Sequence, residues 1–361
     1  MTHGGGPWGD PNDEWGTPTT YGGRQQRHGG GKPPRRRTGP LLALGAVVVV
    51  GAVAAVAAVR INHRDHSTAA SSHAAPHGSA VSGTPTAKQH QSASPTPAGA
   101  PVHVSLFEGD GQTYGIGMPI IAQFSKKVTN AHAFTKAVTV TVDGKPADGA
   151  WFWVNSSSGY AMEAHYRPEQ FWPAHSKIEM TMPIKGLSAG PGLAFDDSLT
   201  LSMNIGAAHV STVNGGSEQM TVTSDGQTVK TFGVSLGKAS TPTYVGTKVV
   251  MQKKNPQHMV SAPGEANPYS LEVPWSVRLT NSGEFVHAAA WNTGNIGSRS
   301  TSHGCTNLTV GDAQWFYNFS IIGDVVTYSN TGTSNVMPSW DGLGDWNVPW
   351  SQWQQGNLLK N

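Results

Sequence analysis

From Val102 onward the chain alternates apolar and polar residues with the two-residue period of half-buried strands. "VTVTVDGKPADGAWFWV" carries this alternation on both sides of Asp143-Gly144, a hairpin-type turn signal. "KIEMTMPI" and "SLTLSMNI" follow, each bounded by Gly, Pro or Asp. Short strands at this spacing predict a β-sandwich of immunoglobulin type over residues 102–206. No catalytic constellation is evident in it, and it reads as a spacer or docking module. A second β block, residues 207–330, has turn signals at Asn214-Gly215 and Asp225-Gly226, and a run, "YSLEVPWSVRLTNSGEFVHAA", broken at Asn281-Ser282-Gly283. One helix is predicted there: Thr309 and Asp312 form a capping-box pattern ahead of "AQWFYNF", whose Trp315, Phe316 and Phe319 suit core packing. "DVVTYSN" closes the block as a strand. In the Trp-rich tail, residues 331–361, Trp340, Trp346, Trp350 and Trp353 stand among Gly, Pro and Asn. They read as anchors of a tail folded back onto the domains, in preference to stacking platforms for sugar rings.

The pattern before Val102 is different. Residues 1–40 are Gly, Pro, His and Arg with almost no aliphatic side chains, which predicts disorder. A basic cluster, Lys32 and Arg35 to Arg37, precedes the uncharged apolar run Leu41–Val59. As a helix this run would span roughly 28 Å, enough for the hydrocarbon core of a bilayer. A core helix would be amphipathic and this one is apolar all round. A cleaved signal peptide would not carry so long a leader. The positive-inside rule then puts the N-terminus in the cytoplasm and everything after Arg60 on the extracellular face of the cell membrane, held by a single pass. A lipoprotein is excluded, because no cysteine stands just after the run. Residues 60–101, rich in Ser, Thr, Ala, Pro and His, read as a flexible linker, and their histidines lack metal-ligand spacing.

Composition sharpens the functional question. Only 13% of residues are charged, 44 are Gly, and the net charge of +2 gives no nucleic-acid footprint. The chain holds a single cysteine, Cys305, in the small polar run "STSHGCTNL". An exported protein that used cysteine for stability would carry paired thiols. A lone one in this company reads as a nucleophile more readily than as a buried inert hydrophobe. A free thiol has a pKa of about 8.5, so it needs a base. His303, two residues away and on the same face of an extended segment, and His287, at the end of the alternating run "EFVHAAAW", are both candidates.

The stretch from His287 to Asn307, "HAAAWNTGNIGSRSTSHGCTN", resembles the signature of the L,D-transpeptidases, the YkuD-type enzymes that cross-link peptidoglycan. It matches at Ser302, His303, Gly304, Cys305 and Asn307 and departs at Thr306, where an aliphatic residue is usual. The order of anchor, immunoglobulin-like module, catalytic domain and Trp-rich tail is similar to that of actinobacterial members. The resemblance implies a mainly β, YkuD-type catalytic domain in which Cys305 is the nucleophile and His287 the general base. It also implies that the backbone carbonyl of Ala288 orients the imidazole, although some relatives have Ser there. Backbone N–H groups around Gly304 and Cys305 would form the oxyanion hole. Ser302, His303 and Asn307 would hold the thiol loop or bind substrate. Tyr269 would belong to a lid over residues 251–273, and Trp291 would line the pocket. Arg299 is either a partner for a substrate carboxylate or a solvated loop charge.

The implied reaction is attack of Cys305 on a tetrapeptide donor stem, loss of D-Ala, and transfer of the thioester acyl group to a diamino-acid amine of a second stem, giving a 3→3 cross-link. Carbapenems are expected to acylate the same cysteine, and no metal or organic cofactor is called for. The His-before-Cys order argues against a papain-like peptidase. The alternatives are an L,D-carboxypeptidase using water as acceptor, and a non-catalytic cell-wall-binding scaffold.

Overall fold

Alternation becomes strand wherever one face finds a core. In the computed structural model, which describes residues 99–261 and 268–361, the immunoglobulin-like region contains β1 (Val104–Leu106), β2 (Ile120–Phe124), the short helix α1 (His132–Ala137), β3 (Thr139–Val142), β4 (Gly149–Val154), β5 (Met162–Pro168), β6 (Lys177–Met182) and β7 (Leu199–Ile205). Along β6, Ile178, Met180 and Met182 are buried while Lys177, Glu179 and Thr181 are exposed, the pattern of a sheet with one solvated face. One sheet has the order β1-β2-β5-β4; the other sets β7, β6 and β3 between the two-residue strands Thr113–Tyr114 and Lys145–Pro146. The two inner faces enclose an aromatic core in which Phe134 of α1 meets Trp151 and Trp153 edge-on at 5.0 and 5.2 Å. The predicted disordered N-terminus, the Leu41–Val59 anchor and most of the linker lie outside the described residues. Among the described residues, no helix is long and apolar enough to cross a membrane.

One strand departs from the sequence pattern. Asp143-Gly144 does form a tight turn with positive φ at both residues, but it pairs β3 only with Lys145–Pro146. The chain then crosses to the other sheet as β4, where Trp151, Phe152, Trp153 and Val154 are all buried. Trp151 and Trp153 face the core, and Phe152 on the outer face is covered by Trp353 of the tail, stacked at 4.4 Å.

The second β block contains β8 (His209–Asn214), β9 (Gln219–Ser224), β10 (Gln227–Gly233), β11 (Gly246–Val249), β12 (Gln252–Lys254), β13 (Gln257–Val260), β14 (Ser270–Val273), β15 (Ser276–Arg278), β16 (Phe285–Ala288), β17 (Thr306–Leu308), α2 (Val310–Phe319) and β18 (Val325–Ser329). One sheet runs β10-β9-β8-β18-β11 and another runs β12-β15-β16-β17, with β13 and β14 paired as a separate ribbon. Val213, Val222, Val277, Val286, Leu308 and Phe316 fill the core against which α2 packs. Thr309 caps that helix: its hydroxyl accepts the Asp312 amide at 3.2 Å and donates to the Asp312 carboxylate at 2.7 Å.

The two blocks share a continuous core, since Val249, Met251, Val325 and Leu343 belong to the same buried cluster as Ile116 and Met118. The Gly115 and Gly117 amides donate to the Ile322 and Gly323 carbonyls at 2.8 and 2.9 Å. A Cβ at Gly115 would collide with the Asp324 backbone, so this junction requires glycine. The tail, ending in α3 (Trp350–Trp353), lies on the outer face of the β4-β5 sheet. The Trp346 and Trp353 indoles donate to the Gly117 and Ala150 carbonyls, each at 2.8 Å. Arg167 of β5 projects among Trp346, Trp350 and Trp353 at 4.7, 5.4 and 4.3 Å. Beside it the buried His165 imidazole contacts the Asp345 carboxylate at 3.0 Å and Glu163 at 3.4 Å.

Candidate active site

The site is built where two strands run parallel. β16 and β17 pair with His287 opposite Asn307, and Val286, Ala288 and Leu308 on the other face are buried in the core. Parallel neighbours need a long crossover, supplied here by the loop from Ala289 to Cys305 with its single turn of 3₁₀-helix at Ala290–Asn292. His287 and Asn307 therefore rise on the opposite face from the core. Cys305, two residues before Asn307, comes up on the His287 side. Diagonal neighbours on adjacent strands have Cα atoms about 7–8 Å apart, within reach of an imidazole and a thiol.

The long loop is held by buried polar contacts. Ser235, fully buried, donates to the Arg299 carbonyl at 2.7 Å, accepts from Asn292 at 3.1 Å and exchanges backbone hydrogen bonds with Asn307. Ser302 closes the turn that carries Cys305: its hydroxyl donates to the Cys305 carbonyl at 2.6 Å and accepts the Gly304 amide at 3.1 Å. The Gly304 carbonyl accepts from Thr243 at 2.8 Å, and its φ of +127° lies in the region that favours glycine.

His287 is buried, and its Nδ1 donates to the Ala288 carbonyl at 2.9 Å, because a carbonyl can only accept. That fixes the tautomer and leaves Nε2 as the basic atom. Burial pulls the imidazole down to about 4, with the Ala288 carbonyl pulling back only in part. Cys305 keeps partial exposure, yet its surroundings desolvate the thiol and push it up to about 11. The Sγ donates to the Gly283 carbonyl at 3.5 Å, so thiol and imidazole are not hydrogen-bonded to each other in this state. Both groups are neutral at rest.

The remaining sequence candidates divide into two walls. The Trp291 indole, 60% exposed, stacks on the His287 ring at 5.9 Å and 28°. Tyr269, at the foot of β14, lies 5.5 Å from the exposed His303 ring. Residues 262–267 of the expected lid lie outside the described residues, and its arms β13 and β14 pair antiparallel from Gln257↔Val273 to Val260↔Ser270. The buried Asn307 Oδ1 has no hydrogen-bond partner among the described residues. Arg299 donates to Asn295 Oδ1 at 2.8 Å on the surface of the crossover loop. Among the described residues, no group of His, Cys, Asp or Glu side chains is placed to hold a metal ion.

Sequence reasoning missed the charged groups beneath the thiol. Lys248 of β11, fully buried, is ion-paired with Glu284 and lies 3.9 Å from the Tyr328 ring. Glu284 also accepts the Tyr244 amide at 2.8 Å. Arg278 of β15 is 4% exposed, donates to the Thr280 and Asn281 carbonyls at 3.0 and 3.2 Å, and burial brings it down to about 10. A lysine within "GTKVVM" or an arginine within "WSVRL" looks the same in sequence whether it faces water or the core. No signal in the sequence would have found them.

Comparison with known proteins identifies the families of both regions. The L,D-transpeptidase catalytic domain family, YkuD, matches residues 208–327, and a bacterial Ig domain family matches residues 63–188. The chain is 34% identical to L,D-transpeptidase 2 of Mycobacterium tuberculosis over 72% of its own length and 64% of that protein's. It is 31% identical to probable L,D-transpeptidase 3 of the same organism over 62% of its own length and 84% of the relative's. A crystal structure of L,D-transpeptidase 3 in complex with a faropenem-derived adduct superposes with a TM-score of 0.51 at 28% identity, covering 62% of this chain and 97% of that one. An immunoglobulin-like module joined to a cysteine- and histidine-bearing YkuD domain defines the class. The chain belongs to the L,D-transpeptidase family.

Proposed function

We propose that this protein is a peptidoglycan L,D-transpeptidase that works through a Cys305 thioester. The observation that carries the reading is the parallel register of β16 and β17, which supports His287 and Cys305 as diagonal neighbours on the face opposite the core, within the YkuD match. In this mechanism the donor stem enters between Trp291 and the Tyr269–His303 pair. His287 Nε2 takes the thiol proton as Sγ attacks the stem carbonyl, because a thiol desolvated to about 11 is not ionised beforehand. The Ala288 carbonyl keeps the imidazole in the required tautomer and favours its charged form. Backbone amides of the Gly304-Cys305 turn receive the developing oxyanion, the Gly304 amide turning from Ser302 Oγ to do so. The imidazolium then protonates the leaving D-Ala amine and a thioester remains. The side-chain amine of a second stem attacks the thioester, His287 removes its proton, and the 3→3 link forms as the thiol is restored. Asn307 Oδ1 offers a hydrogen-bond acceptor to a stem amide.

Carbapenems would acylate the same thiol through their strained β-lactam, a ring shared by the penem faropenem, from which the adduct in the L,D-transpeptidase 3 structure derives. The Leu41–Val59 run would anchor the chain in the cell membrane with the N-terminus inside and the catalytic domain on the extracellular face.

The test is incubation of the full chain, purified in detergent, with disaccharide-tetrapeptide, followed by mass spectrometry. A dimer lacking one D-Ala, absent with Cys305→Ala, is the expected result. Loss of D-Ala without a dimer, with an amine acceptor supplied, would assign the carboxypeptidase reaction. An intact substrate together with a thiol that no carbapenem acylates would leave the scaffold reading.

A further inference from the structure

Outside its own loop the thiol of Cys305 reaches the segment that leads into β16, donating to the Gly283 carbonyl at 3.5 Å and bonding the Phe285 backbone. That carbonyl belongs to the turn from Thr280 to Glu284 between β15 and β16, and the turn is braced on three sides. From within, the Thr280 hydroxyl accepts the Gly283 and Glu284 amides at 3.1 and 2.9 Å, and Arg278 holds the Thr280 and Asn281 carbonyls. From the C-terminal tail, the fully buried Asp341 carboxylate accepts both the Ser282 amide and the Ser282 hydroxyl, each at 2.6 Å. The tail backbone also passes close by, since a Cβ at Gly342 would lie 3.4 Å from the Asn281 amide. From the immunoglobulin-like module, Ser157 accepts the Asn281 side-chain amide at 2.8 Å. Ser157 stands between Ser156 and Ser158, which donate to Glu163 at 2.8 and 2.5 Å, and Glu163 contacts His165, the partner of Asp345 in the tail.

We propose that Asp341 and Ser157 are positioning residues for the Cys305 nucleophile, acting through the Thr280–Glu284 turn, so that the tail and the immunoglobulin-like module shape the active site directly. This rests on Cys305 being the nucleophile. The chemistry of the brace is specific. Asp341 holds two donors of one residue, so the turn cannot rotate about Ser282 without losing both bonds. The Gly283 carbonyl then fixes the thiol rotamer under the stem carbonyl. The charged groups around this point are Lys248, Glu284, Arg278 and Asp341, and their mutual arrangement depends on the same turn. Loosening the turn admits water, which eases ionisation of the thiol while costing its alignment.

The experiment measures two quantities on the full chain: the pH midpoint of Cys305 alkylation by iodoacetamide, and kcat and KM for cross-linking. Asp341→Ala is expected to lower the alkylation midpoint by about one pH unit. The same substitution should reduce kcat at least about tenfold with KM within about twofold, because alignment acts on the transition state. Asp341→Asn, which can accept the Ser282 amide and donate to its hydroxyl, should restore both quantities to within about threefold. Ser157→Ala should lower kcat about threefold or more, by removing the hydrogen bond from the Asn281 side chain to the module. A folded Asp341→Ala protein, judged by unchanged near-UV circular dichroism, with wild-type midpoint and kcat overturns the proposal. If that variant does not fold, wild-type values in both Ser282→Ala and Ser157→Ala overturn it equally. Failure of the wild-type chain to cross-link would sink the functional reading instead, and the alkylation midpoints, which need no peptidoglycan, would still decide the brace.

Discussion

Arg167 offers the most quantitative check on how the tail is held. Its guanidinium lies within 4.3–5.4 Å of three tryptophan rings and donates to the Val348 carbonyl at 2.8 Å. A cation–π contact contributes about 0.5–1 kcal/mol when exposed and about 2 kcal/mol when desolvated, and a hydrogen bond from a charged donor about 1.5–3 kcal/mol. The terms overlap because one side chain makes them all, and burial taxes the charge, pulling the guanidinium down to about 10. We therefore expect Arg167→Ala to weaken the docked tail by about 3 kcal/mol. Hydrogen exchange reads this directly through the Val348, Gln352 and Trp353 amides, which bond to the Asp345 and Pro349 carbonyls within the tail. Their protection should fall about a hundredfold if they exchange by local undocking. Arg167→Lys keeps the charge but loses the planar face, and should fall between the two. Protection within threefold of wild type in the alanine variant would refute the reasoning. The Phe152–Trp353 stack and the indole hydrogen bonds would then be sufficient to hold the tail.

Other expectations follow from the same geometry. With His287 pulled down to about 4, the acid limb of kcat/KM should lie near pH 4, and a limb near 6.5 would contradict the buried neutral imidazole. Trp291→Ala should move that limb upward by about one unit as water reaches the ring. It should also change the melting free energy by less than about 0.5 kcal/mol, since the indole is 60% exposed. At the tail junction, burial opposes charging of His165, but Asp345 and Glu163 outweigh it and hold the imidazole up at about 10, while burial raises Glu108 to about 8. Both folded values exceed the unfolded ones. Their contributions are therefore complete below the unfolded pKa and are lost as pH rises, between 6.5 and about 10 for His165 and between 4.5 and about 8 for Glu108. Calorimetry should show the melting temperature falling from pH 7 to pH 10, and a rise over that range would contradict the assignment. Thr309→Ala should cost about 1 kcal/mol by removing the α2 cap, measured by urea denaturation.

The periodicity of "KIEMTM" and "SLTLSMNI", the turn pairs Asp143-Gly144 and Asp225-Gly226, and the Thr309–Asp312 cap are local. Each is set by residues within a few positions of one another, and each was legible in the chain itself. So was the family, because a lone thiol in "SHGC" and its spacing from His287 are facts of order along one strand of text. What the sequence could not supply was which faces meet. "WFWV" reads as a half-exposed strand until Trp353, 200 residues later, covers Phe152. Spacing alone places both His287 and His303 within reach of Cys305, and only the parallel register of β16 and β17 sets His287 opposite Asn307. Lys248, Arg278, Glu284 and Asp341 carry no mark of burial in the sequence, and ion pairing beneath the thiol arises only when three separate segments converge there. Local propensity and turn chemistry act over a few residues, whereas burial, pKa and the hydrogen bonds that reach the Thr280–Glu284 turn depend on contacts between distant segments, which only the tertiary fold decides.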